Sequence, residues 1–232
     1  MRIPVRSRSA AARPWCGRHD GQVPQPPTTS REIAARYDAF AHRYAALDRL
    51  EPVTGLRWLR RRHLAGARGD VLVIAAGTGM DLRALAHVTR PVLTDISPGM
   101  LAVAARRATT ARRDVACLVM DAQALALRGG SFDTVVSTLS LCTFPDPVAA
   151  LREMARVCRP DGRVLLLDHG LSHLPWLARY QRRRDPAHAR RLGCHVNRDP
   201  VALTVTAGLR PVRVRRVLLG THYLIEASPP PD

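Results

Sequence analysis

The residues able to do chemistry fall at the ends of apolar runs. Gly77 and Gly79 close the run Val71-Leu-Val-Ile-Ala-Ala, Asp95 closes the next, and Asp121 follows a third. Glycines at such a place let the backbone turn sharply and approach a ligand. A carboxylate at Asp95 offers paired acceptors at the separation of two ribose hydroxyls, and Asp121 can accept from the exocyclic amine of a purine. A dinucleotide would need a further glycine around its pyrophosphate. Gly77-Thr-Gly-Met-Asp-Leu has none and carries Asp81, whose charge repels phosphate.

A second set of groups lies downstream. Asp168-His169 ends another apolar run, where an imidazole can take a proton from an acceptor, and a thiol with a pKa of about 8.5 needs little help to ionise. His169 is equally readable as packing at a sheet edge. Cys142, His195 and Asn197 are candidates for an acceptor pocket, although a free cysteine is usually a small buried hydrophobe. His188, Cys194 and His195 fit no metal-ligand spacing, so no metal is expected.

These residues need strand ends to hold them. From Asp70 the chain alternates short β-branched runs with helical patterns, which predicts a parallel sheet. Strands are expected at 71–76, 91–95, 115–120, 132–138 and 163–168, with a crossover helix at 80–87 and helices after Ser97-Pro98 and from about Pro147 to Cys158. The tail predicts a helix at 199–207 and a closing hairpin from 211–218 and 222–227. In an open sheet of this kind, ligands sit outside the carboxyl ends of the strands. Ahead of the sheet, Ile33, Tyr37, Phe40, Tyr44 and Leu47 repeat at helical spacing, with Thr29 or Ser30 as cap. A second helix at 55–64 sets Leu56, Leu59 and Leu64 opposite Arg57, Arg60, Arg61 and Arg62, which read as a solvated face. Residues 1–30, rich in Arg and Pro, read as a disordered basic arm or a start-site artefact, and Arg182-Arg-Arg-Asp-Pro reads as mobile.

Composition bounds the function. With 232 residues, 46% of them hydrophobic, the chain can form one sizeable core. Its formal charge of +17 would suggest a phosphate-rich partner, but every basic residue is arginine, beside abundant Ala, Pro and Gly, which points to coding bias instead. Nucleic-acid binding is not expected, and neither a target-base motif nor interleaved aromatics favour RNA. Five scattered cysteines without a CxxC pair suggest a reducing compartment, and no run reaches the length of a signal core or membrane span. The expectation is a soluble, cytoplasmic monomer or homodimer with a small-molecule substrate and no stable membrane insertion.

Several stretches taken together resemble the class I S-adenosylmethionine-dependent methyltransferases of the small-molecule type 11 kind. They are Val71 to Gly79, Leu93-Thr-Asp-Ile-Ser-Pro-Gly-Met, Asp121-Ala, Gly130-Ser-Phe-Asp-Thr-Val-Val-Ser and Leu151 to Arg163. The resemblance implies an α/β, Rossmann-like fold over 31–232, a seven-stranded mostly parallel sheet with helices on both faces and lid helices over 31–65. It implies S-adenosylmethionine as cofactor, with Ala75, Gly77, Thr78 and Gly79 under the methionine and Asp95 and Ile96 at the ribose. Met100, Asp121 and Ala122 would frame the adenine, Thr138 would meet the amine through its backbone, and Tyr37 and Tyr44 would close over cofactor and acceptor. Val73 and Ala75-Ala76 stand where the family commonly has an acidic residue and Gly-Cys, which removes one anchor and leaves open a relative that binds without transferring methyl. Leu139 to Pro147, Asp168-His169 and Gly193-Cys-His-Val-Asn-Arg-Asp are similar to a narrower branch with alkyl-thiol S-methyltransferases and phospholipid methyltransferase-like proteins. The reaction expected is methyl transfer by in-line displacement, to a thiol first, with an amine or phospholipid head group as the alternative.

Overall fold

Residues 29–48 and 55–230 are described by a computed structural model. All but the last two residues of the expected basic arm lie outside them. The elements are α1 (Ser30–Leu47), α2 (Leu56–Leu64), β1 (Val71–Ile74), β2 (Val92–Asp95), α3 (Pro98–Thr110), β3 (Ala116–Val119), β4 (Phe132–Thr138), α4 (Pro147–Val157), β5 (Cys158–His169), α5 (Pro175–Leu192), α6 (Pro200–Thr206), β6 (Arg210–Val217) and β7 (His222–Ser228). The strands form one seven-stranded sheet in the order β3-β2-β1-β4-β5-β7-β6. β1 to β5 run parallel, while β7 is antiparallel to both β5 and β6. Strand order reverses between β1 and β4, so their carboxyl ends bound the crevice where an open sheet binds ligands.

The unbroken apolar run of β1 follows from cover on both faces. Leu72 and Ile74 pack with Val135, Leu166 and Ile225 against Leu151 and Met154 of α4. Val71 and Val73 face the other way, among Leu64, Leu93, Leu101 and Ala104. Val73, fully buried there, belongs to the core, so the departure at this position puts an apolar side chain in an apolar layer.

Local chemistry sets the helix starts. Thr29 and Glu32 form a reciprocal capping box at α1, and Ser97 accepts from the Met100 amide ahead of a first-turn proline in α3. Asp38 of α1 accepts from the Ser97 hydroxyl at 2.8 Å and the Gly99 amide at 2.6 Å, which ties α1 to the start of α3. These bonds, the Gly99 amide first, hold the Asp38 carboxyl below the usual carboxylate range.

Four expectations need correction. The crossover helix at 80–87 is a single 3-10 turn, Met80–Arg83, because Asp81 and Leu82 turn inward and the chain must reach β2 within a few residues. β5 begins at Cys158, not Arg163, since Phe132 pairs with Cys158 before the register shifts. The stretch around Arg182 is not loose but lies inside α5, pinned by buried polar contacts. Gln181 donates to the carbonyls of Gly170 and Val196, and Asp185 accepts from the Val196 amide.

The fourth correction concerns the arginines of α2. Arg60 is buried and pairs with the buried carboxylate of Asp81, to which Thr138 also donates at 2.9 Å. Helix α2 is therefore fixed to the sheet, and Leu59 packs on Leu167 and Leu224. Removing one partner of a buried ion pair leaves the other charge uncompensated, at a cost of about 3–5 kcal/mol. Arg60→Met is expected to lose about that much in urea unfolding, and Arg60→Met/Asp81→Leu to recover most of it. Equal losses in the single and double variants would remove the pair from the account.

Candidate functional site

The crevice at the reversal point holds a cavity with about 640 Å³ of open space. Its wall gathers Ala75 and Gly77 after β1, Asp95 and Ile96 after β2, Met100 of α3, and Asp121 and Ala122 after β3. Leu139, Ser140, Thr143 and Phe144 close it from the β4 side, and Ser30, Ile33 and Tyr37 of α1 lie across it. Seven of the expected cofactor residues thus share one wall.

Asp95 is the fixed point of this wall. Its carboxylate accepts from the Gly77 amide at 2.8 Å and the Ser97 amide at 2.9 Å. Burial pushes its pKa up, and the amide bonds pull against that shift. Asp121 accepts from the Gln123 amide at 2.9 Å and remains half-buried. Gly77 has a left-handed backbone with open space where a Cβ would stand, so a ligand can lie against it.

Two strained residues mark the same place. Ala75 and Leu139, with φ of 50° and 54°, follow the adjacent ends of β1 and β4, and both line the cavity. A left-handed non-glycine costs about 1–2 kcal/mol and collects where function requires it. Only their placement immediately after apolar runs could have hinted at this from the sequence.

The remaining cofactor expectations divide. Thr78 is buried away from the cavity wall, donating to Asp48 and accepting from Arg107 at 3.3 Å. Gly79 is buried against α3, where an added Cβ would meet Ala104 at 3.0 Å, so its role is close packing. The Thr138 side chain faces Asp81 and Arg60, and neither it nor Tyr44 is part of the cavity wall. Tyr44 instead packs edge-on to Tyr37, ring centroids 6.3 Å apart.

A second group of side chains lies beside the cavity, drawn from the loop after β4, the end of β5 and the turn after α5. His169, at the carboxyl end of β5, places Nε2 3.2 Å from the Cys194 sulfur. Cys142 completes the group: its thiol hydrogen-bonds Cys194, which holds the Cys142 pKa well above the usual thiol range, with burial adding to the shift. The same bond, with help from His169 and against burial, brings Cys194 down to about 5. Burial would lower the His169 imidazole, but its bond to Cys194 and the charge there raise it. Tyr37, raised chiefly by burial, also feels Cys142 and Cys194, so a residue of the cavity wall stands near the cluster.

Around this cluster, Asp168 is fully buried and accepts from the Ser140 and Leu141 amides at 3.2 and 3.1 Å, and burial lifts its pKa to about 6. Arg198 donates to the carbonyls of Leu141 and Phe144, bracing the same loop. His195 and Asn197 are not brought into the cavity. The His195 ring pairs with Asp185 at 3.0 Å, its amide donates to the Cys142 carbonyl, and the Asn197 amide donates to Asp185 at 3.3 Å. Both shape the wall through the backbone.

A sheet of this order, with its cavity at the reversal point, is the class I methyltransferase architecture. Residues 72–166 match the family model described as a methyltransferase domain. It is 27% identical over 219 residues to the mitochondrial methyltransferase OMS1 of Saccharomyces cerevisiae, covering 86% of this chain and 46% of that protein. It is 34% identical over 151 residues to the demethylmenaquinone methyltransferase of Thermobifida fusca, covering 62% and 63%. The chain therefore spans about half to two thirds of the length of these relatives. The geranyl diphosphate C-methyltransferase of Streptomyces coelicolor A3(2), solved with Mg2+, geranyl diphosphate and S-adenosyl-L-homocysteine, superposes with a TM-score of 0.65 at 15% identity, over 88% of this chain and 100% of that one. Among the described residues no helix is long and apolar enough to cross a membrane.

The two glycines should respond differently to a methyl group. Gly79→Ala combines left-handed strain with a backbone contact and is expected to cost about 2–4 kcal/mol in urea unfolding. Gly77→Ala carries the strain alone, about 1–2 kcal/mol. Equal losses would contradict the separate roles of packing and ligand approach.

Proposed function

We propose that this methyltransferase domain takes a methyl group from S-adenosylmethionine and passes it to the sulfur of a small-molecule thiol. The observation that carries the acceptor is the placement of Cys142, His169 and Cys194 together beside the cavity, with Cys142 on the loop after β4 that also forms its wall. A wall that offers an imidazole to one sulfur offers it to another.

The residues present fit the cofactor. Asp95 would hold the ribose hydroxyls, open space at Gly77 would admit the methionine part, and Met100, Asp121 and Ala122 would frame the adenine. The Streptomyces neighbour holds the demethylated form of this molecule, and both relatives above are named as methyltransferases. When bound, the cofactor supplies a methyl group made electrophilic by its sulfonium. The acceptor thiol gives its proton to water, and His169, whose charged form the neighbouring Cys194 sulfur favours, stabilises the acceptor thiolate. A new carbon–sulfur bond then forms as the old one breaks, with the electron pair leaving on the former sulfonium sulfur. The rest of the work is alignment and exclusion of water, supplied by α1 and its Tyr37 across the cavity.

A quinol carbon is the second reading, favoured by the Thermobifida relative. Amines and phospholipid head groups form a third class, and a chain that binds without transferring would be inactive on all. A screen with labelled methyl donor against alkyl thiols, hydroquinols, amines and phosphatidylethanolamine vesicles separates these. The expected result is label on the thiols, and label confined to another class would overturn the acceptor assignment.

Two variants test the residue roles. Asp95→Ala is expected to weaken S-adenosylhomocysteine binding about 10- to 100-fold by calorimetry, since hydrogen bonds to a charged group contribute about 1.5–3 kcal/mol. Unchanged affinity would take the ribose off Asp95. His169→Ala is expected to slow thiol methylation more at pH 6.5 than at pH 9, where the acceptor ionises unaided. A uniform effect across that range would deny His169 a part in stabilising the acceptor thiolate.

A further inference from the structure

Cys142, His169 and Cys194 come from three separate parts of the chain, yet their ligand atoms, two sulfurs and a ring nitrogen, lie within 4.8 Å of one another. Zinc bound tetrahedrally, with Zn–S of about 2.3 Å and Zn–N of about 2.0–2.1 Å, sets its donors about 3.5 Å apart for N···S and about 3.8 Å for S···S. The His169 to Cys194 separation is 3.2 Å, so side-chain adjustments of a few tenths of an ångström on that edge would admit the ion. His188 and His195 are otherwise engaged, on the Cys194 carbonyl and on Asp185.

A second observation points to a cation here. Asp168 is fully buried at the end of β5, and while its Oδ2 takes two backbone amides, Oδ1 has no hydrogen-bond partner among the described residues. Its carboxylate is close enough to feel both His169 and Cys194. A buried anion with an unused oxygen, next to two sulfurs, favours positive charge at that spot. Arg198, the basic group facing the same sulfurs, donates to the Leu141 and Phe144 carbonyls.

We propose that Cys142, His169 and Cys194 form a three-ligand site for a divalent ion of the zinc class, with its fourth position open to the sulfur of a small thiol. Two thiolates and one imidazole are a donor set that borderline-soft ions prefer over magnesium or calcium, and three protein ligands with an open place are the pattern of reactive zinc centres. The two cysteines release their protons on binding. A thiol entering the fourth position would do the same, arriving as a metal-held thiolate beside the cavity; with the ion in place His169 is its ligand, and the metal takes over the imidazole's part in favouring the thiolate. Only the identity of that fourth ligand rests on the thiol-acceptor reading; uptake of the ion does not.

The experiment uses the full chain, reduced with a phosphine, loaded with Zn2+ or Co2+ and passed through a chelating resin. Elemental analysis is expected to find about one zinc per chain, and the cobalt form to show thiolate-to-metal charge transfer and tetrahedral d–d bands. Cys117→Ser, outside the cluster, is expected to retain the metal, and Cys142→Ser/Cys194→Ser to lose it with its circular dichroism intact. If that variant misfolds, the wild-type cobalt spectrum decides alone. Absence of retained zinc and of charge transfer, or a Cys142–Cys194 disulfide that forms with zinc present, would overturn the site. Adding 2-mercaptoethanol to the cobalt form is expected to strengthen the charge-transfer band. A spectrum unmoved by the thiol would overturn the open position while leaving the ion, and methylation of thiols by metal-free protein would overturn the metal's part in the reaction while leaving the acceptor assignment.

Discussion

A carboxylate kept out of water at the end of β2 is the constraint on which the site depends. Asp95 is only tolerable there because backbone amides from Gly77 and Ser97 point at it. Those bonds fix the turn after β1 and the start of α3 to a single side chain. The start of α3 is in turn where Asp38 anchors α1, so the helix that lies across the cavity is referred to the same point. Cofactor wall and cover are thus positioned by one short chain of hydrogen bonds.

The cluster of Cys142, His169 and Cys194 is built from a different part of the sheet. β5 delivers Asp168 and His169 together, one fully buried and the other half-buried, while the loop after β4 delivers Cys142. Helix α5 then carries the chain away and back, so that Cys194 meets both. Buried Gln181 and Asp185 fix that return through backbone groups of 170, 172, 196 and 197. A segment whose arginines suggest looseness is in fact held from its inner face.

What could be read from the sequence was what depends on neighbours in the chain. Strand ends carrying Gly77, Asp95, Asp121 and His169 were legible because apolar runs and their breaks are local signals, and the sheet order then brought the first three to one wall. Contacts made across the fold were not. Arg60 reads as one of a run of solvated arginines, and its pairing with Asp81 depends on α2 crossing the turn after β1. Cys142 and Cys194 are separated by β5 and α5, so no spacing rule could join them. Thr78 and Gly79 sit within the right motif, yet their backbone directions send them to Asp48 and Ala104, which only the three-dimensional path decides.

A crystal structure of the full chain with S-adenosylhomocysteine would show directly whether Asp95 and the cysteine–histidine cluster face one ligand. Both ribose hydroxyls are expected on the Asp95 carboxylate, the adenine between Met100 and Ala122, and the thioether sulfur turned toward Cys142, His169 and Cys194. A ligand bound elsewhere, or one in the same cavity with its sulfur turned away from that cluster, would contradict this arrangement.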